Sequence, residues 1–440
     1  MKKSSVAIVR YEKPGDSVRR AAELCRGLDH MPSGAKVFIK PNIVYWTSAS
    51  DFPKWGVITT SRVVEDMVIL LKEKGIDDIT IGEGSVTMNP KDRETQKHAY
   101  EKLGYNLLGK RYGVKCVNVF DRPFEETDLG DGIVLNFNAD AMQSDFIVNL
   151  PVLKTHAQTM ISLGIKNLKG LIDIPSRKKC HNADPEKNLH YYVARLADKM
   201  PRMFTLIDGI YTNERGPSFD GRIRRSNLLI ASDDVLAADM AGSALLGYPP
   251  SEIPHLLHAA KNRGRKPDLS EIEILGESIS DHAMSLQYTF PYNKEGNLPL
   301  PMEKMGIKGL SYRKYDLSLC TYCSGLNGVI LTAIAMAWKG KAFDDVEVLT
   351  GKIMNPTPGM KKTILLGKCM WQKHKDNPDI QEMIAVKQCP PKPESVIEAF
   401  HQAGIEIDAN MLRNMDSLPG MLMPRYSGKP EYEESLFTIA

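Results

Sequence analysis

Short apolar runs alternate along the chain with segments whose apolar residues recur at helical spacing. Residues 6–9 read Val-Ala-Ile-Val, a strand-type run, and residues 17–28 place alanines and leucines on one helical face. The pattern continues with a β-rich run over 36–44, an amphipathic helix over 62–72, and a strand over 78–81 that ends in Gly82-Glu83-Gly84-Ser85. Residues 145–150, 203–207 and 227–231 are further apolar runs, and 235–246 is an alanine-rich helix. Strands covered on both faces read as continuous apolar runs, and the covering helices are amphipathic. The pattern predicts an α/β fold, a mostly parallel sheet with helices on both faces.

The rhythm weakens over 285–318, where Pro, Gly and Tyr are frequent, and then resumes. Residues 346–350, 363–366 and 383–386 are strand-like, and 326–338 and 393–403 are helical. This predicts a second, smaller α/β unit. The expected organisation is a large α/β domain over 1–284 and a linker or arm over 285–318. A cysteine-containing unit over 319–410 and an irregular tail over 411–440 complete it.

Length agrees, since 440 residues exceed one ordinary core. Lys plus Arg is 57 against 54 for Asp plus Glu, a net charge of +3. General nucleic-acid binding needs a strongly basic surface, so no nucleic-acid partner is expected. The N-terminal apolar run is too short for a signal sequence, and no apolar helix reaches membrane length. A cytoplasmic protein with no membrane partner is therefore expected. Seven cysteines, an odd number, argue against a disulfide framework.

Cys25, Cys116 and Cys180 are scattered, whereas Cys320, Cys323, Cys369 and Cys389 fall together in the small unit. Each of these four lies in a loop at an element end. Thiolates at the tips of neighbouring strands can converge on one centre, and soft thiolates select zinc or iron–sulfur clusters. Zinc Cys₄ sites are usually built from two close pairs. One pair and two singletons fit that pattern poorly and favour a [4Fe–4S] cluster, with zinc the alternative and unrelated reduced cysteines a third reading. Cys389-Pro-Pro-Lys-Pro-Glu394, leading into an apolar helix, resembles the last cluster ligand of nickel–iron hydrogenase small subunits. It is similar to the equivalent subunit of respiratory complex I as well. That resemblance implies only a local loop–helix cluster site.

Polar signatures punctuate the strand ends of the large domain, where ligands of open α/β sheets gather. They are Lys40-Pro41-Asn42, the turn at 82–85, Lys154-Thr155-His156 and Asp208-Gly209. Lys40, Lys154, His156 and Lys166 are cations expected in loops at one sheet edge, suited to a phosphate or carboxylate. His156 titrates near neutrality and suits proton transfer. Asn42 and Asn167 supply amide donors and acceptors. His181 would join this site if its loop folded over. Asp208 and Glu214 are candidates to hold lysines or metal, and Asp233, Asp234 and Asp239 read better as helix caps. Arg177-Lys178-Lys179 and Arg222 with Arg224-Arg225 read as solvated charge runs. No Ser–His–Asp arrangement, Walker loop or His-Glu-x-x-His motif is visible, which leaves hydrolase and nucleotidyl-transfer readings without support.

Phe38-Ile39-Lys40-Pro41-Asn42, the run from Asn149 to His156 and Ile165-Lys166-Asn167-Leu168-Lys169-Gly170 resemble domain-of-unknown-function family 362. So do Ile207-Asp208-Gly209, Gly216-Pro217, and Ala231-Ser232-Asp233-Asp234 leading into Ala237-Ala238-Asp239. The resemblance spans about residues 1–280. It implies an α/β domain often accompanied by ferredoxin-like cluster motifs, and no settled reaction. The chain departs from the common form by lacking a tandem Cys-x-x-Cys-x-x-Cys-x-x-x-Cys insert.

The expected function is an iron–sulfur oxidoreductase. One electron at a time would pass from a [4Fe–4S] cluster to a small anionic substrate, bound by Lys40, Asn42, Lys166 and Asn167. His156 and Lys154 would act catalytically, and a donor such as a ferredoxin would be the protein partner. The alternative is a non-catalytic electron-carrier or anion-binding module with a structural or relay cluster. A third option is non-redox chemistry at a cluster iron, for which a histidine such as His374 would complete the site.

Overall fold

A computed structural model describes residues 3–86, 89 and 92–439. The chain divides into two compact units. One comprises Met1–Arg177, His190–Thr289 and Pro419–Ala440; the other comprises Lys178–Leu189 and Phe290–Leu418. Two expected boundaries need correction. The segment 285–318 is no linker, because it supplies the helix Leu300–Lys304 and the strand Leu310–Tyr312 to the small unit. The tail is not a separate surface wrap: Tyr426, Leu436, Phe437 and Ile439 are buried in the core of the large unit.

In the large unit the strand order is Ile272–Gly276, Ser4–Arg10, Arg222–Ser232, Met203–Glu214, Phe146–Leu150, Val37–Pro41, Ile79–Glu83, Lys115–Asn118. The half from Met203–Glu214 to Lys115–Asn118 is parallel. Its central strands Val37–Pro41, Ile79–Glu83 and Phe146–Leu150 are buried at every position, which is why they read as unbroken apolar runs. Helices Asp16–Leu24, Ser61–Glu73 and Val235–Leu245 carry buried faces for the layers around this sheet.

The mostly parallel expectation holds, with antiparallel pairs between Val152–His156 and Met160–Ser162 and along one flank. Met203–Glu214 and Arg222–Ser232 form a long antiparallel hairpin, and the second of these pairs antiparallel with Ser4–Arg10. The sequence shows only the inner halves of the hairpin as strands. Its outer half alternates, with Arg222 exposed, Ile223 buried and Arg224 exposed, so arginines on the open face hide the strand.

The small unit carries four parallel strands in chain order: Leu310–Tyr312, Val346–Leu349, Lys362–Leu366 and Glu382–Val386. Helix Thr321–Ala337 connects the first two strands, Lys368–His374 connects the last two, and Pro393–Gln402 follows. Parallel neighbours need such crossovers, and they leave the carboxyl ends of all four strands on one side.

Candidate functional site

In the large unit, neighbouring strands converge on a buried lysine network. Lys40 lies within Val37–Pro41 and Lys154 within Val152–His156, so both are strand residues rather than loop cations. Lys40 is 0% exposed and Lys154 1% exposed, which decides that neither is an open anion cradle. Lys40 Nζ donates to Glu83 Oε2 at 2.8 Å and to the Pro41 carbonyl at 2.7 Å. Glu83 also accepts from the amides of Ile43 at 2.8 Å and Gly84 at 2.7 Å. Gly170 makes this pair possible, since a Cβ there would stand 2.4 Å from Glu83 Oε1 and 2.6 Å from Lys40 Nζ.

Lys154 Nζ donates to Asn42 Oδ1 at 2.7 Å and to the Val57 carbonyl at 2.6 Å. An amide chain ties it back to Lys40. Asn42 Nδ2 donates to Asn167 Oδ1 at 2.9 Å, and Asn167 Nδ2 donates to Asn149 Oδ1 at 2.9 Å and to the Lys40 carbonyl at 3.2 Å. Burial pulls the Lys154 amine down to about 7; Glu83 opposes that shift and the Lys40 charge adds to it. Burial also lowers Lys40, against the pull of Glu83. His156 is buried, and its Nδ1 accepts from the Gln158 amide at 3.1 Å and the Thr159 amide at 3.4 Å. Those contacts put the proton of the neutral ring on Nε2.

The structure therefore unites Lys40, Asn42, Lys154 and Asn167. Lys166 lies beside Asn167 on the short helix Gly164–Asn167, and its charge is felt by the buried His255. The expected unbalanced positive cluster is corrected as well, because Glu83 supplies a counter-charge. Glu83 was visible in sequence only as part of a turn. Arg177, read as a solvated charge, in fact donates to the carbonyls of Gly170 at 2.8 Å and Ile172 at 3.1 Å and lies 4.7 Å over Phe120. Asp208 holds backbone amides of Thr60 and Ile210, and Glu214 holds Arg224 and the Gln287 amide, so neither holds a lysine. Asp234 caps Val235–Leu245 as expected. Asp239 instead clamps another element, accepting from the amides of Gly164 at 2.6 Å and Ile165 at 2.9 Å.

In the small unit, the cysteines gather on the carboxyl side of the parallel sheet. Cys320 and Cys323 stand at the start of the helix after the first strand. Cys369 follows Lys362–Leu366, and Cys389 follows Glu382–Val386. All seven cysteines are free. Burial pushes the Cys323 thiol up, and Cys320, Cys389 and Cys369 each add to that shift. Cys369 is likewise raised by burial and by Cys320 and Cys389, while Lys352 and Lys178 oppose the rise. The expectation of four loop cysteines is corrected: Cys323 and Cys369 lie in the first turns of helices, Cys320 caps the first of these, and Cys389 lies in a loop. Among the described residues, no group of three or more His, Cys, Asp or Glu side chains is placed to hold a metal ion.

Lys178 Nζ donates to Cys389 Sγ at 3.8 Å and lies 4.9 Å over the ring of Tyr322, between Cys320 and Cys323. Lys352 donates to the carbonyls of Lys178 and His181. Lys178 reads in sequence only as part of the solvated run 177–179, a reading these contacts correct, and no local pattern marks Lys352. Gly367, at φ +94°, leaves room for the Cys323 sulfur, 3.2 Å from where a Cβ would stand. His181 belongs to this unit, with Nδ1 3.0 Å from the Leu317 carbonyl. His374 is committed elsewhere, its ring nitrogens bonded to the Met354 carbonyl at 2.9 Å and Asn377 at 3.0 Å.

Residues 37–244 match the family model described as domain of unknown function (DUF362). The four grouped cysteines lie outside that match. A thylakoid-associated protein of Synechocystis sp., sll1697, is 28% identical over 262 residues, covering 58% of this chain and 77% of that protein. Among solved structures, the lactate racemase apoprotein from Thermoanaerobacterium thermosaccharolyticum aligns at 16% identity with a TM-score of 0.36, covering 57% of this chain and 58% of that one. Among the described residues, no helix is long and apolar enough to cross a membrane.

Proposed function

We propose that the protein is an iron–sulfur oxidoreductase whose small unit holds a [4Fe–4S] cluster on Cys320, Cys323, Cys369 and Cys389. The observation that carries this reading is the placement of these four cysteines at the carboxyl ends of neighbouring parallel strands. The donor set fits the group, because iron–sulfur clusters are held by cysteine thiolates. One close pair and two singletons suit a cluster better than zinc, whose Cys₄ sites are usually two close pairs. When bound, the cluster supplies and accepts electrons one at a time.

The chain's own residues would do the rest. Lys178 offsets thiolate charge at Cys389. In the large unit, Lys154 is the proton donor: an amine near 7 both holds and releases a proton at neutral pH. Asn42, held by Asn167, fixes its direction. His156, protonated on Nε2, is the second proton carrier. Lys40 with Glu83 serves as scaffold for the site. A cytoplasmic, reducing setting would keep the thiols available.

Anaerobic purification tests the reading, with iron and sulfide analysis and an optical spectrum. Iron and acid-labile sulfide in equal amounts, with a broad charge-transfer band bleached by reductant, is the expected result. Zinc without sulfide would overturn it. A second reading, a carrier with no chemistry of its own, is favoured by the exposure of Cys369 and Cys389 and by the internal balance of Lys40 with Glu83. That reading gains if a loaded protein exchanges electrons equally well after Lys154→Met.

A further inference from the structure

The cysteine loops are set in a lysine-rich surface. Of the lysines in residues 350–375, Lys352, Lys368, Lys373 and Lys375 lie beyond the carboxyl ends of the strands, whereas Lys361 and Lys362 begin a strand at its opposite end, and Lys361 and Lys375 pair with Asp344 and Asp376. Residues 383–393 carry Lys387 and Lys392 without an acid. Some of these amines are occupied. Lys352 is bonded to carbonyls, and Lys373 donates to the carbonyls of Ile353 at 2.7 Å and Met354 at 3.0 Å. Lys368, Lys387 and Lys392 are different. All three are exposed, and among the described residues none is ion-paired with a carboxylate. Lys368 adjoins Cys369, and Lys387 and Lys392 bracket Cys389. Lys387 Nζ lies 5.4 Å over the ring of Trp371, which links the Cys389 loop to the helix bearing Cys369. Cys369 and Cys389 are themselves the exposed members of the four.

We propose that Lys368, Lys387 and Lys392 form the docking rim for an acidic electron-carrier protein, which exchanges electrons on the Cys369–Cys389 side. The proposal rests on the cluster reading above and names its partner class. Its logic is electrostatic. Four thiolates are a negative centre and would repel an acidic carrier. Lysines around the exposed thiols reverse the sign of the local field where contact occurs. Such fields steer encounter and fix orientation more than they add affinity, and salt screens them. In each event the reduced carrier loses the one electron that the oxidised cluster gains, and no bond or proton changes hands. A rim that merely offsets thiolate charge would act on the midpoint potential instead; Lys178, in contact with Cys389, is placed for that task.

The test uses the cluster-loaded full chain, with iron and sulfide content measured first. The probe is a reduced plant-type [2Fe–2S] ferredoxin, an acidic carrier, mixed in stopped flow at increasing salt. The wild-type second-order rate constant should fall as salt rises. The triple variant Lys368→Gln, Lys387→Gln, Lys392→Gln should react about tenfold more slowly at low salt, near the lower end of steering effects. Its salt dependence should flatten, while its iron content, spectrum, midpoint potential and reduction by a small neutral reductant stay at wild-type values. Loaded protein whose rate ignores salt or rises with it would overturn the proposal, as would a loaded triple variant reacting at the wild-type rate. Absence of iron and sulfide from the wild type would overturn the cluster reading and this proposal with it, and the metal analysis distinguishes that failure from failure of the rim.

Discussion

Lys40 and Glu83 form an ion pair of 2.8 Å sealed from solvent, both side chains under 4% exposed. Breaking such a pair from one side strands the other charge, at a cost of about 3–5 kcal/mol. Glu83→Gln should therefore lower stability by about that amount in urea unfolding. Combining Lys40→Met with Glu83→Gln should recover much of the loss, since no buried charge is left. Equal denaturation midpoints for wild type and Glu83→Gln would mean that Lys40 is already neutral in the fold.

The cysteine assignment predicts a clean contrast between two substitutions. Cys389 is exposed and acts on Cys323 and Cys369, whereas Cys116 is half-buried in the large unit beside the Tyr105 carbonyl. Cys389→Ser should lose most of the bound iron and sulfide, and Cys116→Ser should keep both. Equal iron in the two proteins would remove Cys389 from the ligand set.

Much of this architecture is legible in the pattern of the chain. Unbroken apolar runs mark the central parallel strands because both of their faces are covered. The grouping of Cys320, Cys323, Cys369 and Cys389 at strand ends is legible too, because each follows or begins a recognisable element. What escapes is whatever depends on long-range pairing. Glu83 looks like a turn residue until Lys40, 43 positions earlier in the chain, is found against it. Lys178 reads as one of three adjacent surface cations, and only tertiary structure brings it 211 residues along the chain to Cys389. Lys154 and Lys166 look equivalent by type, yet the first is a sealed strand residue bonded to Asn42 and the second sits on a short helix. The hairpin arm with Arg222, Arg224 and Arg225 hides for a simpler reason: a strand with one open face has no continuous apolar run.

Lys154 should titrate apart from the other lysines. Burial holds its amine near 7 in the fold, against about 10.5 in the unfolded chain. Between those values the unfolded chain binds more protons, so this group makes stability rise with pH across that window. The side-chain resonance of a labelled Lys154, assigned by its absence in Lys154→Met, should shift near pH 7. A resonance that moves only above pH 10 would remove Lys154 as a neutral-pH proton donor.

Asp239 should give the opposite pH trend. It is fully buried and accepts from the Gly164 and Ile165 amides, which hold the start of the short helix bearing Lys166 and Asn167. Burial raises its carboxyl from 3.8 to about 7, and the two amide bonds only partly oppose the shift. Between these values the folded state binds more protons than the unfolded state. Stability from this group is therefore full below the unfolded value and is lost as pH rises through about 7. Asp239→Asn carries no charge at any pH and keeps one amide acceptor. Its stability relative to wild type should improve from pH 5 to about pH 7 and level off above that in urea unfolding. Asp239→Ala leaves both amides unsatisfied and should be less stable than Asp239→Asn by about 1–3 kcal/mol. A difference between wild type and Asp239→Asn that is flat over this range would show that the carboxyl is ionised throughout, with the two amides outweighing the cost of burial.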